Sequence, residues 1–294
     1  MASQQGNYTS ANATTTPSGS KADPEWSRLV LLCIYTAVLL SGTLGMVLMV
    51  RLLRSHTLSL TALAVLNLVF GHFLFLLTVP FRLHYYATGH WHLGPGWCKA
   101  VSSMVHIHLY MSFIFYVVIL VTRLLAFRRQ RSAPPPEVHC MPALLGSLAV
   151  WVIVGVTVPC AVHYGYGDKD NSEMCFKFGY RIKGTAVSVL NYVGSVASIV
   201  VAAALAGLQA HVLRLLRREH GQGWRGQQVV WAQLRSLCFA GIMVVCFVPY
   251  HMFRLYYIAH VQEYQHVNEV FLSVTALSCL DMLTFVGKGP CVCC

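Results

Sequence analysis

Seven apolar stretches, each long enough to cross a lipid bilayer, leave this chain of 294 residues few ways to fold. They run over 28–53, 57–83, 98–127, 141–163, 184–216, 229–258 and 265–287, separated by short polar or Pro/Gly-bearing links. A hydrocarbon core of ~30 Å needs roughly twenty apolar residues as a helix. Charged residues make up only 11% of the chain and hydrophobic ones 56%, against roughly 25% charged in soluble domains. The expected fold is therefore all-α: a seven-transmembrane helix bundle over 28–287, with a leader at 1–27 and a short Cys-rich tail at 288–294.

The basic residues give the bundle a direction. With the amino terminus outside, the inner side collects Arg51, Arg54, Arg123, Arg128, Arg214 and others against only Glu137 and Glu219, whereas the outer basic residues are nearly balanced by acids. Most of the net charge of +11 then lies on the cytoplasmic side, as the positive-inside bias requires. The leader has no apolar run, so no cleavable signal peptide is visible and the first span serves as the insertion signal. Rich in Ser, Thr, Asn and Gly, the leader reads as disordered and extracellular. It carries two glycosylation acceptors, at Asn7 and Asn12. Most of the eleven cysteines fall within spans or inside, where packing or surface thiols account for them. Cys98 and Cys175 are both expected outside, where a disulfide persists; the alternative is two free thiols.

Several motifs then resemble one family. Trp91, Gly94 and Cys98 match the W-x-x-G-x-x-x-C approach to the third helix of rhodopsin-like (class A) G-protein-coupled receptors. Arg123 stands at the arginine of that family's D-R-Y triplet, and Trp151 at its fourth-helix tryptophan. Cys246-Phe247-Val248-Pro249-Tyr250 resembles the sixth-helix C-W-x-P-Y or C-F-x-P-Y motif, and Leu280–Phe285 resembles L-D-P-x-x-Y in the seventh. The pieces Leu76–Arg82 and Phe247–Arg254 are similar to the purinergic-like branch, including orphan members whose ligand is not supplied by the resemblance. The resemblance implies a plasma-membrane receptor passing an extracellular ligand signal to a heterotrimeric G protein. No catalytic role and no cofactor are expected.

The departures from that pattern carry their own expectations. Thr122-Arg123-Leu124 lacks the acid that would restrain the arginine, which is left to snorkel or to pair with carbonyls, and basal activity follows as an expectation. His72 replaces the second-helix aspartate that, with Ser112 and seventh-helix polar groups, holds sodium in most class A receptors. A histidine offers nitrogen, and the wrong sign if protonated, so sodium regulation is not expected and Asp281 becomes the partner of His72. Met282 and Phe285 replace a proline and a tyrosine in the seventh span, and the fifth span has no proline; each missing proline restores a backbone N–H and straightens its helix. The switch set is therefore Thr122, Arg123, Leu124, Phe247, Pro249, Asp281 and Phe285. Cys291, Cys293 and Cys294 are palmitoylation candidates beside the inner leaflet.

The outer half of the bundle is the expected ligand cavity. Its lining set is Arg82, Tyr85, Tyr86, Val105, His106, Tyr110, Lys177, His251, Arg254, Asn268 and Phe271. Val105 stands where an amine receptor needs aspartate, and Thr275 where an opsin needs its lysine. Arg82, Lys177 and Arg254 among aromatic rings suit an anionic small molecule or lipid, the alternative being rim charges in solvent. His106-x-His108 and the His90, His92 pair suggest no metal, because residues two apart on a helix face different ways and no matching Cys/His cluster accompanies them. Two other classes stay open: a receptor-shaped membrane partner without exchange activity, and a channel or transporter, which the absence of an inverted repeat disfavours.

Overall fold

The computed structural model describes residues 25–53, 60–130, 140–165, 175–176, 185–220, 228–261 and 263–285. Asn7, Asn12, Lys177, Cys291, Cys293 and Cys294 lie outside the described residues. Seven helical segments are long and apolar enough to cross a membrane, and no strand occurs among the described residues. In chain order the helices are α1 (Glu25–Leu53), α2 (Leu60–Leu76), α3 (Val79–Thr88), α4 (Gly94–Gln130), α5 (Cys140–Gly165), α6 (Thr185–His220), α7 (Gln228–Tyr257) and α8 (Gln265–Ala276). A 3₁₀ segment, Leu277–Phe285, continues α8 and completes the seventh span. The first described helix begins at Glu25, and Ser27 in its first turn is 1% exposed.

The exposed faces confirm lipid as the solvent. On α5, Leu144, Leu145, Leu148, Val152, Ile153 and Val156 are all exposed, while Val154, Val158 and Val162, one turn apart, are buried against the bundle. A soluble protein would not tolerate such a patch. Hydroxyl groups on these outer faces bond back to their own helix, as Thr43 does to Leu39 O at 2.7 Å and Thr157 to Ile153 O at 2.7 Å. Hydrocarbon offers them no other acceptor.

The central helix is α4, whose 37 residues reach about 56 Å at ~1.5 Å per residue. Its buried positions Val105, Leu109, Ser112, Tyr116 and Ile119 recur at helical spacing and meet neighbours on several sides. Two glycines set up its start. Gly89 ends α3 at φ 79° with its N–H on Tyr85 O at 2.8 Å, and Gly94 opens α4 at φ 79° while its carbonyl accepts Trp91 Nε1 at 2.8 Å. Both conformations favour a residue without Cβ. The tryptophan and glycine of the W-x-x-G-x-x-x-C motif therefore form one hydrogen-bonded turn that aims Cys98 into the bundle.

The second span breaks between α2 and α3. Pro80 has no N–H to return to Leu76, and its ring would crowd that carbonyl. Thr78 takes up the slack, its N–H bonding to Phe75 O at 2.8 Å and its Oγ1 to the same oxygen at 2.7 Å. The break turns Arg82 into the core, where it is 0% exposed. In the fifth span the missing proline leaves α6 helical over 36 residues, as expected. The seventh span behaves differently. Replacing proline with Met282 did not give a straight α-helix; the backbone tightens to 3₁₀ from Leu277 onward, and Tyr116 donates its hydroxyl to the Ser278 carbonyl at 3.1 Å inside that segment. Neighbouring polar groups set the winding there, not proline alone.

Close packing ties this segment to α1. A Cβ added at Gly45 would lie 2.9 Å from Met282 Cβ, an atom fixed to backbone. Gly45→Ala is expected to lower stability by about 1–3 kcal/mol, the usual penalty for overpacking. Gly241→Ala, where a Cβ meets nothing within 4 Å, should leave the melting temperature of the detergent-solubilised protein unchanged.

Candidate functional site: a cleft beside the disulfide and an arginine clasp at opposite ends of the bundle

One end of the bundle is organised by the disulfide. Cys98 at the start of α4 and Cys175 are bonded, with Cα atoms 5.7 Å apart. The next residue, Phe176, adopts φ 65°, an unfavourable conformation for a bulky side chain. Its ring is 3% exposed and packs edge-on against Tyr85 and Trp91, with the Arg82 guanidinium 4.2 Å from its centroid. Burying the aromatic ring over a cation offsets the backbone strain.

Beneath Phe176, Arg82 bonds the Tyr35 hydroxyl at 3.2 Å and lies 3.5 Å from the Glu269 carboxylate. Tyr86 donates its hydroxyl to the same carboxylate at 3.3 Å and stacks on Tyr35 at 5.9 Å. Arg82 was expected to offer its charge to an anionic ligand. Here Glu269 neutralises it and Phe176 covers it, because a cation this deep needs a carboxylate partner. Glu269, Tyr35 and Phe176 were not among the expected site residues. The only trace of Phe176 in the sequence is its place beside the bridge cysteine. A narrow cleft stays open above this group, lined by Ser27, Arg28, Tyr86, Phe176, His266 and Glu269.

The other expected cavity residues form a second group. Arg254 on α7 bonds Asn191 Oδ1 at 3.0 and 3.3 Å and Asn268 Oδ1 at 3.5 Å. Among the described residues no carboxylate lies within salt-bridge distance of it. Tyr250 and Tyr257 place their rings 6.0 and 5.6 Å from its guanidinium. His251 is buried against Phe113 and Tyr250, Asn268 is 1% exposed, and Phe271 stacks on Phe253 at 4.6 Å. Val105 is fully buried, His106 half-buried, and Tyr110, at 44%, is the most exposed of the described members of the set.

At the opposite end, Arg123 reaches from α4 to α7. Its Nη1 donates to Ala232 O at 3.1 Å and to Ser236 Oγ at 3.2 Å, and its guanidinium lies 5.8 Å from the Phe239 centroid. Thr122 turns its hydroxyl to Ile119 O at 2.9 Å instead of toward the arginine. On the same turn of α7, Gln233 bonds Gln209 of α6, and Gln209 donates to Leu120 O at 3.2 Å. The arginine without an acidic neighbour is thus not released. A carbonyl and a hydroxyl of α7 hold it, with a buried glutamine pair beside them that the sequence reading missed. Leu124 packs on the small cluster of Val212, Leu216 and Val230 at this end.

Between the two ends run the remaining switch positions. Phe247 is fully buried against Phe113 and Tyr116, above Met243. Pro249 lies inside α7. Asp281 accepts from Tyr116 at 2.7 Å and from His72 Nε2 at 3.3 Å. Ser112 is 1% exposed on α4. Trp151 donates to Asn67 Oδ1 at 2.8 Å, fastening α5 to α2.

Seven spans, a disulfide at the head of the third, an arginine at its foot bound to the sixth and an aspartate at the heart of the seventh form a receptor's arrangement. Residues 45–284 match the family model described as 7 transmembrane receptor (rhodopsin family). The chain belongs to the rhodopsin family of seven-transmembrane receptors. Among curated relatives of the receptor, probable G-protein coupled receptor 141 of Homo sapiens is 40% identical over 271 residues, 88% of either chain. C-C chemokine receptor type 8 of Mus musculus is 31% identical over 155 residues, 52% of this receptor and 43% of that one. Probable G-protein coupled receptor 34 of Pan troglodytes is 24% identical over 93% of this receptor and 75% of its own length. The receptor is a multi-pass membrane protein of the G-protein-coupled class and not an enzyme.

Proposed function

We propose that the receptor lies in the plasma membrane with its amino terminus outside, and that it couples an extracellular anionic small molecule or lipid to a heterotrimeric G protein. The clasp of Arg123 on Ala232 O and Ser236 Oγ carries this reading, because it joins α4 to α7 by two hydrogen bonds at the positively charged end. Opening that end to admit a G protein requires those bonds to break, so the closed packing is one state of a two-state element that a ligand can bias. On the ligand side Arg254 supports the anion, since its hydrogen-bond partners are neutral amides and its neighbours are aromatic. Arg82 is already paired with Glu269. Glycosylation at Asn7 and Asn12 and palmitoylation at Cys291, Cys293 and Cys294 accompany this topology.

The test is constitutive activation across the G-protein families in cells at matched surface level. Ser236→Ala removes one of the bonds holding Arg123, worth roughly 0.6 kcal/mol between helices in a membrane, and is expected to raise basal signal by about two- to threefold. Arg123→Ala frees the same end but also removes the side chain that would contact the G protein once the bundle opens, and is expected to abolish the signal. A Ser236→Ala receptor indistinguishable from mock-transfected cells in every family would favour a receptor-shaped partner without exchange activity.

A further inference from the structure

Three side chains that neither the ligand cleft nor the arginine clasp uses meet in the middle of the membrane-spanning bundle. His72 comes from α2, His108 from α4 and Cys279 from the 3₁₀ segment, and all are at most 1% exposed. His72 Nδ1 lies 2.8 Å from His108 Nε2, and Cys279 Sγ lies 3.4 and 3.5 Å from the same two nitrogens. On its other side, His72 turns Nε2 to the Asp281 carboxylate at 3.3 Å, which Tyr116 steadies at 2.7 Å. Phe75 stacks on the His108 ring at 4.3 Å.

This triangle has the dimensions of a ligand set. Bond lengths of about 2.05 Å to nitrogen and 2.3 Å to sulfur at a tetrahedral angle separate donors by about 3.4 Å (N to N) and about 3.6 Å (N to S). Both nitrogen–sulfur edges already match, and the nitrogen–nitrogen edge has to open by about half an ångström. A metal-binding imidazole characteristically directs its second nitrogen at a carboxylate, as His72 does toward Asp281. Charge selects the ion. Two positive charges balance a Cys279 thiolate and the Asp281 carboxylate, whereas any other ionic charge leaves a net charge buried in the bundle. Hard cations such as sodium or calcium want oxygen donors, and here two nitrogens and a sulfur converge.

We infer that His72, His108 and Cys279 form an intramembrane site for a borderline divalent transition-metal ion, of which zinc is the redox-inert example. The site was invisible along the chain because the partners of His108 are 36 and 171 residues away; the nearby His106, which drew the metal question, is not among them. A bound ion would pin the second, third and seventh spans together. The inference does not depend on the ligand or on G-protein coupling.

Full-length receptor, purified in detergent after chelator treatment, is titrated with cobalt(II) as a spectroscopic stand-in for zinc. The expected result is about one cobalt per receptor with a thiolate-to-cobalt charge-transfer band, displaced by zinc, and a zinc-induced rise in melting temperature. Cys279→Ala should lose the band and the thermal shift, His108→Phe should lose the thermal shift, and Cys160→Ala, at an exposed thiol on α5, should keep both. No band in the wild-type receptor at saturating cobalt overturns the site, independently of how any variant folds. So does a band that survives Cys279→Ala.

Discussion

Replacing Arg82 with alanine is expected to destabilise the receptor by about 3–5 kcal/mol, because it strands the Glu269 carboxylate inside the bundle. Glu269 is 5% exposed and Arg82 not at all, so water is a poor substitute for the lost partner. The Tyr35 hydroxyl also loses its partner in Arg82, and Phe176 loses the cation beneath its strained backbone. Surface expression and melting temperature should both fall sharply. The double variant Arg82→Met, Glu269→Gln removes both charges and should recover most of the loss, since a neutral pair of similar volume is often as stable as a buried ion pair. If the double variant is as unstable as Arg82→Ala, the contribution of Arg82 lies in shape rather than charge. If Arg82→Ala is as stable as wild type, the buried pair does not hold this end together.

Removing the disulfide is the second large effect. Cys98 and Cys175 are 77 residues apart in sequence, and breaking a bridge that closes a long loop typically costs about 2–5 kcal/mol. Cys98→Ser combined with Cys175→Ser should lower the melting temperature, and dithiothreitol should lower that of the wild type by a similar amount while leaving the double variant unchanged. The loss should extend beyond chain entropy. Cys175 carries Phe176 to its place over Arg82, so unfastening it uncovers the ion pair as well. A double variant as stable as the wild type would assign the stability of this end to the Arg82 network alone.

The parts of the molecule that could be read from sequence are those whose signal is local. The spans follow from runs of apolar residues, and the turn of Trp91 and Gly94 into α4 from a motif eight residues long. The pairing of Cys98 with Cys175 followed from which side of the membrane each was assigned. What escaped were contacts between residues far apart in the chain: Glu269 with Arg82, Cys279 with His108, Gln209 with Gln233. The physical reason is the solvent. In water a helix shows which face is inward through its polar stripe, but a helix in lipid is apolar outside as well as inside, so its rotation leaves little trace in composition. That Arg82 is paired with Glu269, and neither open to a ligand nor a rim charge in solvent, depends on rotation and partners, which local pattern does not carry. The replaced proline misled for a related reason: it predicts what Met282 permits, whereas Tyr116, from another helix, bonds the backbone of that stretch.

The tightened winding at the end of the seventh span has a consequence for reach. A 3₁₀ helix advances about 2.0 Å per residue and an α-helix about 1.5 Å. Gln265–Ala276 as α-helix and Leu277–Phe285 as 3₁₀ therefore extend about 36 Å, where the same residues wound uniformly as α-helix would extend about 31 Å. The last crossing of the bilayer gains about 5 Å without an added residue, enough to carry it past a hydrocarbon core of about 30 Å with room for tilt.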